Sequence, residues 1–287
     1  MLYKLVKFYT RKFSFPKRGL KYMMRAMRFL GISGKSYIKK LPDEVLVSLE
    51  PEDHIQRQLF WYGYYEKSVG STIISLLTPT STLIDIGANI GYFSLLAAKI
   101  SPTVKVIAFE PVSYLFNALT KNIELNNFKN IQAVNAAIGD ENGSNPIYLS
   151  SIENRGMSSF QKPENYSGQI EMVNIFTLDN WIADNSINRV DLIKIDVEGY
   201  ELSVLKGMAK TIITFKPNIL LELNPETLSY FDLHTSDILS YTINLHYHPF
   251  TILDNGKFEK LNKQELNETI NVLLVHDDNL NSIGAIM

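Results

Sequence analysis

Cysteine is missing from this chain of 287 residues. Disulfide bonds and thiolate metal sites are therefore excluded, and nothing in the composition requires an oxidising compartment. We accordingly expect a cytoplasmic protein. The length and the 45% hydrophobic content allow a full core and predict one large domain, or one domain with an extension.

Long apolar runs are missing as well. No uncharged apolar stretch approaches the roughly 18 to 20 residues that are needed to cross a bilayer. The basic N-terminal segment lacks the apolar region of a signal peptide. We therefore expect a protein that neither spans a membrane nor is secreted.

Acidic residues are missing from the first part of the chain, since residues 1–42 contain 12 of the 28 Lys and Arg and no Asp or Glu. The remainder holds 16 basic residues against 30 acidic ones. The spacing of apolar residues in this segment predicts an amphipathic helix with a cationic side. Its apolar positions are Leu20, Met23, Met24, Met27 and Leu30, and its cationic positions are Lys21, Arg25 and Arg28.

We place this basic helical arm at residues 1–52 and the main domain at residues 53–287. One interpretation is that the arm packs on the acidic main domain. The alternative is that residues 1–40 contact anionic lipid, at the inner face of a membrane, or an acidic partner. A nucleic-acid partner is not expected, because the main body has no complementary basic stripe. Nothing in the sequence indicates the oligomeric state.

The main domain shows short apolar runs that alternate with helical periods, a pattern typical of βα units in a parallel sheet. A helical segment over 54–77 leads into it. The predicted strands are Leu83–Ile86, Val104–Phe109, Ile131–Ala136, Leu192–Ile195 and Ile219–Leu223, and the predicted helices are Ile90–Ile100, Ser113–Leu125 and Glu201–Ala209. The fold class is therefore α/β, with a doubly wound and mostly parallel sheet.

Two regions depart from this rhythm. Residues 140–176 are rich in Gly, Ser, Asn and Pro, and short alternating pieces predict a small β insertion near the site. Two late strand candidates, Phe250–Leu253 and Ile270–Val275, have no clear helix between them, so we expect one of them to run antiparallel to the rest.

The first βα junction has the sequence Asp85-Ile86-Gly87-Ala88-Asn89-Ile90-Gly91. Its glycines allow a sharp turn and the close approach of a ligand at the start of a helix. It lacks the third glycine of the G-x-G-x-x-G pattern that binds a dinucleotide pyrophosphate. The Asp85 carboxylate suits a ligand that carries an ammonium group and no phosphate there, such as the methionine part of S-adenosylmethionine.

Glu110 ends the second strand of the predicted sheet. An acidic side chain at this place accepts hydrogen bonds from ribose hydroxyls in nicotinamide and adenosylmethionine folds alike. Taken alone, Glu110 therefore does not distinguish the two cofactors.

Five segments resemble the FkbM family of methyltransferases. In chain order they are LIDIGANIGYFSLLAA, VIAFEP, AVNAAIGDENG, FTLDNW and DLIKIDVEGYELSVLKGM, and the stretch IQRQLFWYGYYEK before them is similar too. The resemblance covers roughly residues 54–225, and IKIDVEG is its most specific part. It implies a class I, Rossmann-like fold with a seven-stranded sheet, and O-methylation of a hydroxyl by S-adenosyl-L-methionine.

The same resemblance implies a set of binding residues for the methyl donor. The positions are Asp85, Gly87, Asn89, Gly91, Glu110 and Asp140. Asp140 is expected near the adenine. Its alternative role is that of a solvated carboxylate in a turn.

In Ile193-Lys194-Ile195-Asp196, strand alternation places Lys194 and Asp196 on one face. We expect Asp196 to face the transferred methyl group and Glu198 to lie in the loop beyond. Asp196 or Glu198 is a candidate base for the hydroxyl proton, and Lys194 qualifies only if burial lowers its pKa. The alternatives are a structural ion pair for Lys194 and a helix-start carboxylate for Glu198.

Other polar residues follow the fifth predicted strand. Glu222 and Asn224 are candidates for binding a polar acceptor, with a capping turn as their alternative role. His246 and His248 line the acceptor pocket or serve as the base, or they are ordinary loop or core histidines. With Asp196, Glu198 or Glu222 they offer ligands for a divalent metal, but we assign no metal.

These features together predict an O-methyltransferase that acts on a small hydroxylated acceptor, a saccharide or a related metabolite precursor. The alternative enzyme is a nicotinamide-dependent dehydrogenase, which the glycine spacing disfavours. A third hypothesis is a non-catalytic interaction or membrane-docking module in which the basic arm is the working part.

Overall fold

A computed structural model describes residues 31, 34–253, 256–261 and 266–283. The amphipathic helix predicted within residues 20–30 lies outside them. Within the described part, no helix has the length and apolar character that crossing a membrane requires.

The described elements form one large sheet, two small ones and surrounding helices. The strands are β1 (Tyr37–Lys40), β2 (Leu46–Leu49), β3 (Thr82–Ile86), β4 (Lys105–Phe109), β5 (Ile131–Val134), β6 (Ala137–Ile138), β7 (Gly143–Ser150), β8 (Tyr166–Phe176), β9 (Leu192–Ile195), β10 (Asn218–Leu223), β11 (Tyr247–Ile252), β12 (Phe258–Lys260) and β13 (Ile270–His276). The helices are α1 (His54–Trp61), α2 (Lys67–Leu76), α3 (Tyr92–Ile100), α4 (Ser113–Leu125), α5 (Leu178–Asp184), α6 (Glu201–Gly207), α7 (Ala209–Phe215), α8 (Pro225–Ser229), α9 (Thr235–Asn244) and α10 (Leu280–Ile283).

The large sheet has the strand order β12-β11-β13-β10-β9-β3-β4-β5. The strands from β10 to β5 in this order are parallel, and β13 is antiparallel to both of its neighbours, β10 and β11. The predicted fold class and the antiparallel late strand are confirmed. The predicted seven strands become eight in the described part, because β12 pairs with β11 at the edge.

The sheet is buried on both faces, as expected for parallel strands covered by helices. Every residue of β3 is buried. On one face Leu83 packs with α2 and α3, whereas Ile84 and Ile86 pack with α5 and α6 on the other face. The chain order reverses between β3 and β9, where α/β sheets open a ligand crevice at their carboxyl edge.

The predicted helix over residues 54–77 is wrong in its continuity, since the structure has α1 and α2 there. Glu66, which precedes α2, has a φ of 40° and breaks the helical run. The α1 helix starts at Asp53, whose carboxylate accepts a hydrogen bond from the Gln56 N–H at 3.0 Å. The helix predicted at Glu201–Ala209 is confirmed as α6, which ends at Gly207, and the further helix α7 starts at Ala209.

Residues 140–176 form the predicted β insertion. Strands β7 and β8 make an antiparallel pair, and β6 joins its edge. Between β7 and β8, a 3₁₀ turn over Ile152–Met157 packs against α1. We call this 3₁₀ turn, together with residues 158–160, the cover segment.

The described part of the basic arm, which follows the predicted amphipathic helix, is a β hairpin. The strands β1 and β2 form a hairpin there, with Leu41, Val47 and Leu49 buried in the main core. The Asn122 side chain on α4 accepts a hydrogen bond from the Ser48 N–H at 2.8 Å. The division into an arm and a domain at residue 52 stays a prediction.

Candidate functional site

The loop after β3 lies against the loop after β9. Gly87 has a φ of 80°, and a Cβ there would lie 1.9 Å from the carbonyl oxygen of Asp196. Gly91 has a φ of 87°, and its Cβ would lie 2.4 Å from the Cδ1 of Leu119 on α4. The left-handed backbone favours glycine at both positions, and at Gly87 the neighbouring backbone leaves no room for a side chain.

Glu110 is buried at the end of β4, where it borders the cavity at the carboxyl edge of the sheet. Its two carboxylate oxygens accept hydrogen bonds from the Asn89 and Val112 N–H groups, at 2.8 and 3.0 Å. Burial raises its pKa to about 7, although these two hydrogen bonds oppose the shift. The backbone therefore holds Glu110 in one position, and the remaining lone pairs of its oxygens are available to a ligand.

Asp85 does not line this cavity, contrary to the predicted contact with the donor. Its side chain is fully buried beneath the loop, where it accepts a 2.6 Å hydrogen bond from the Ser94 hydroxyl of α3. Its other oxygen lies 3.9 Å from the Lys194 ammonium on the adjacent strand. Burial raises the pKa of Asp85, while Lys194 and Ser94 lower it. Asp85 is therefore placed to support the loop after β3 from below.

Lys194 lies on β9 and is 3% exposed. Its ammonium donates to Asp196 at 3.0 Å, which confirms that the two side chains share a face. Burial alone would lower the pKa of Lys194, but Asp196 and Asp85 outweigh burial and raise it. Lys194 is therefore a cation placed to orient carboxylates, and the condition set for its role as a base, a pKa lowered by burial, is not met.

Asp196, Glu198 and Glu222 converge on the cavity. Each offers one carboxylate oxygen, and these oxygens all lie within 4.8 Å of one another. Burial, followed by the charges of neighbouring carboxylates, raises the pKa values of Glu198 and Glu222 well above the ordinary value. The cluster can accept hydrogen bonds from hydroxyls or bind a cation.

Asn224 also borders the cavity, and its side chain caps α8 by accepting from the Glu226 N–H at 3.1 Å. Both roles considered for this turn, capping and a place in the pocket, therefore apply to Asn224. Asn89 and Gly87 border the same cavity.

Several lining residues were not predicted from the sequence. They are Tyr65 after α1, His54 on α1, Asn154, Met157, Ser159 and Phe160 from the cover segment, Tyr200 before α6, and Thr269 before β13. Burial raises the pKa of Tyr65 well above its ordinary value and lowers that of His54. The aromatic content of the stretch before β3 was the available signal for Tyr65.

The cover segment makes two direct contacts with the sheet edge. The Ser159 hydroxyl donates to the Glu198 backbone oxygen at 2.9 Å. Gly156 lies so close to Asn89 that a Cβ there would be 2.9 Å from its side-chain nitrogen. The cover segment thus lies directly over both loops of the site.

Asp140 and His246, like Asp85, Gly91 and Lys194, do not border the cavity. Asp140 is exposed and bonds the Ser203 hydroxyl at 2.5 Å, so the predicted adenine contact has no support in the geometry. His246 precedes β11 and is 3.6 Å from Asp277, which follows β13. Because β11 starts at the amino edge of the sheet, His246 lies opposite the carboxyl edge, and its predicted place in the acceptor pocket is wrong.

The strand order and a polar cavity at the chain reversal define a Rossmann-like α/β protein with a small-molecule site. Residues 85–275 match the family model of the methyltransferase FkbM domain. This match covers more than half of the chain, so the protein belongs to that family and is a methyltransferase. The resemblance noted in the sequence is confirmed.

Individual relatives are distant. Methyltransferase sdnD of Sordaria araneosa is 27% identical over 179 residues, covering 52% of this chain and 68% of the relative. The 2-O-methyltransferase NoeI of Sinorhizobium fredii is 25% identical over 154 residues, covering 49% and 63%. The matched segment thus spans about two thirds of each of these two relatives. The solved structure of methyltransferase FkbM from Methylobacillus flagellatus KT is 17% identical, with a TM-score of 0.43, and 78% of this chain and 50% of that one are covered.

Proposed function

We propose that this methyltransferase takes its methyl group from S-adenosyl-L-methionine and transfers it to a hydroxyl of a small acceptor. The observation that carries the proposal is one cavity bordered by Glu110 and by the cluster of Asp196, Glu198 and Glu222. A carboxylate that suits a diol thus shares a cavity with a group of proton acceptors.

The donor half of the cavity fits an adenosine. Glu110 is fixed by two backbone N–H groups, so it can accept from both ribose hydroxyls without first being ordered. Beside it, an apolar wall suits a flat base. That wall consists of Phe109, Val112, Leu115, Ala136 and Ile138.

When bound, S-adenosyl-L-methionine supplies an electrophilic methyl group to the acceptor oxygen and leaves as S-adenosylhomocysteine. The protein has to hold the acceptor hydroxyl in line, at about 3 to 3.5 Å from the reacting carbon. Asp196 and Glu198 can accept the hydrogen bond of that hydroxyl and then its proton, while Lys194 fixes the Asp196 carboxylate. The cover segment helps to exclude water from this pocket.

A saccharide or similar polyol is the acceptor class that we propose. Glu222 and Asn224 border the cavity next to the carboxylate cluster, and such side chains bind several hydroxyls at once. The printed name of the relative NoeI, a 2-O-methyltransferase, is consistent with methylation at oxygen.

Isothermal titration with S-adenosylhomocysteine tests the donor site. We expect the full chain to bind one equivalent and Glu110→Ala to weaken binding at least about tenfold, because hydrogen bonds to a charged group contribute about 1.5–3 kcal/mol each. Glu124→Ala, at an exposed carboxylate on α4, serves as the matched control and should bind like the parent chain. Absence of binding by the parent chain, or unchanged affinity of the folded Glu110→Ala protein, would reject the assignment.

A further inference from the structure

The three carboxylates that meet at the sheet edge have the arrangement of a cation site. We propose that Asp196, Glu198 and Glu222 bind a hard divalent cation such as Mg²⁺ or Mn²⁺. His246 and His248, which were considered from the sequence as metal ligands together with these carboxylates, lie at the other edge of the sheet, before and at the start of β11. The side chains that come together are all carboxylates, which such cations prefer.

The distances suit such an ion. Ligand oxygens from the three residues lie within 4.8 Å of one another. Two oxygens on opposite sides of one ion, each about 2.1 to 2.4 Å from it, are separated by a similar span. Lys194 donates to Asp196 Oδ2, which leaves Oδ1 of that carboxylate for the ion.

A second, independent observation that indicates a ligand is an unpartnered oxygen in the cluster. Glu198 Oε2 has almost no solvent-accessible surface and no hydrogen-bond partner within the described residues. Burial of a carboxylate oxygen without a partner is unfavourable, because the oxygen loses its hydration and no hydrogen bond or cation replaces it. The Ser159 hydroxyl holds the backbone of Glu198 at its carbonyl oxygen, and one carboxylate oxygen of Glu198 lies within 4.8 Å of those of Asp196 and Glu222.

The charges around the cluster also favour a cation. Asp196, Glu198 and Glu222 lie together with Glu66, which bonds Asn271 and interacts electrostatically with Asp196. Lys194 is the ammonium that contacts this group in the described part of the chain. Several carboxylates thus face one lysine in a partly buried place, and a divalent ion would balance the excess.

The proposed ion would offer an open coordination position towards the cavity. A hydroxyl bound there would lose its proton more easily, because a metal ion lowers the pKa of a coordinated oxygen. This role in the reaction rests on the proposed function, but the site itself does not.

Calorimetric titration of the full chain with MnCl₂, without any methyl donor, tests the site. We expect one Mn²⁺ per chain and an affinity at least tenfold lower in Glu198→Gln and in Glu222→Gln. Asp184→Asn, at an exposed carboxylate on α5, is the matched control and should bind Mn²⁺ like the parent chain. Circular dichroism on each variant confirms that it has folded.

Absence of saturable Mn²⁺ binding by the parent chain, or binding that survives both substitutions, would overturn the proposal. The same samples are titrated with S-adenosylhomocysteine. If S-adenosylhomocysteine binds and Mn²⁺ does not, the cation site is rejected and the donor site is retained. If Mn²⁺ binds and S-adenosylhomocysteine does not, the cation site is supported and the donor assignment is rejected.

Discussion

Lys194 shows how one buried charge organises a site. Its ammonium lies between Asp85 at 3.9 Å and Asp196 at 3.0 Å, so a single cation supports the first loop from below and orients the carboxylate above. Removing Lys194 would leave both Asp85 and Asp196 without their cation, and an uncompensated buried charge costs several kcal/mol.

Replacing Lys194 by Met should reduce the free energy of unfolding by about 3 kcal/mol, since it leaves Asp85 buried without its cation. Adding Asp85→Asn should restore at least half of the loss, because the amide has no charge to compensate. Urea unfolding of the two single variants and the double variant measures both effects. Additive losses in the double variant would show that the two groups do not depend on each other.

Strand alternation was enough to predict that Lys194 and Asp196 share a face, because side chains alternate along any strand. It did not predict the direction of Asp85, since periodicity does not say whether a face meets a helix or a cavity. His246 was misplaced for a related reason. Its edge of the sheet depends on the direction of β11, which is set by long-range pairing with β13.

At the scale of elements, the site depends on two loops that touch through their backbones. Gly87 packs against the Asp196 carbonyl so closely that no side chain fits between them. The glycine spacing predicted a tight turn, but not the loop against which it packs. The stretch before β3 was predicted less well, because Glu66 adopts a left-handed backbone that its residue type does not favour.

Gly87→Ala should destabilise the protein by about 2 kcal/mol more than Gly168→Ala. Both glycines have a positive φ, 80° and 88°, but a Cβ at Gly168 meets nothing within 4 Å. The pair therefore separates the cost of the close contact from the cost of the backbone conformation. Thermal unfolding measures the difference, and equal losses would mean that the two loops move apart without penalty.

At the scale of the whole molecule, buried acidic groups make stability depend on pH. Burial raises the pKa values of Glu66, Glu110 and Glu201 to about 7. The folded protein therefore binds more protons than the unfolded chain between about pH 4.5 and 7. Its free energy of unfolding should fall as the pH rises through this window and change little from these groups above it.

Glu201→Gln should flatten this dependence, because the amide cannot ionise. Glu201 is 2% exposed and accepts a hydrogen bond from the Gly199 N–H, which the glutamine oxygen can retain. The change in the free energy of unfolding between pH 5 and pH 8 should shrink by up to about 3 kcal/mol. Urea unfolding at both pH values provides the measurement, with Glu124→Gln as the exposed control. An unchanged difference in the Glu201 variant would contradict the raised pKa.

Asp53 connects distant parts of the chain through one carboxylate. One of its oxygens caps α1 at Gln56, and the other accepts from the Arg155 N–H of the cover segment at 3.0 Å. The first turn of α1 and the cover segment above the cavity are therefore held by the same carboxylate. Loss of this carboxylate would remove a hydrogen bond from both segments at once, so a change at the start of α1 would also weaken the attachment of the cover segment above the cavity.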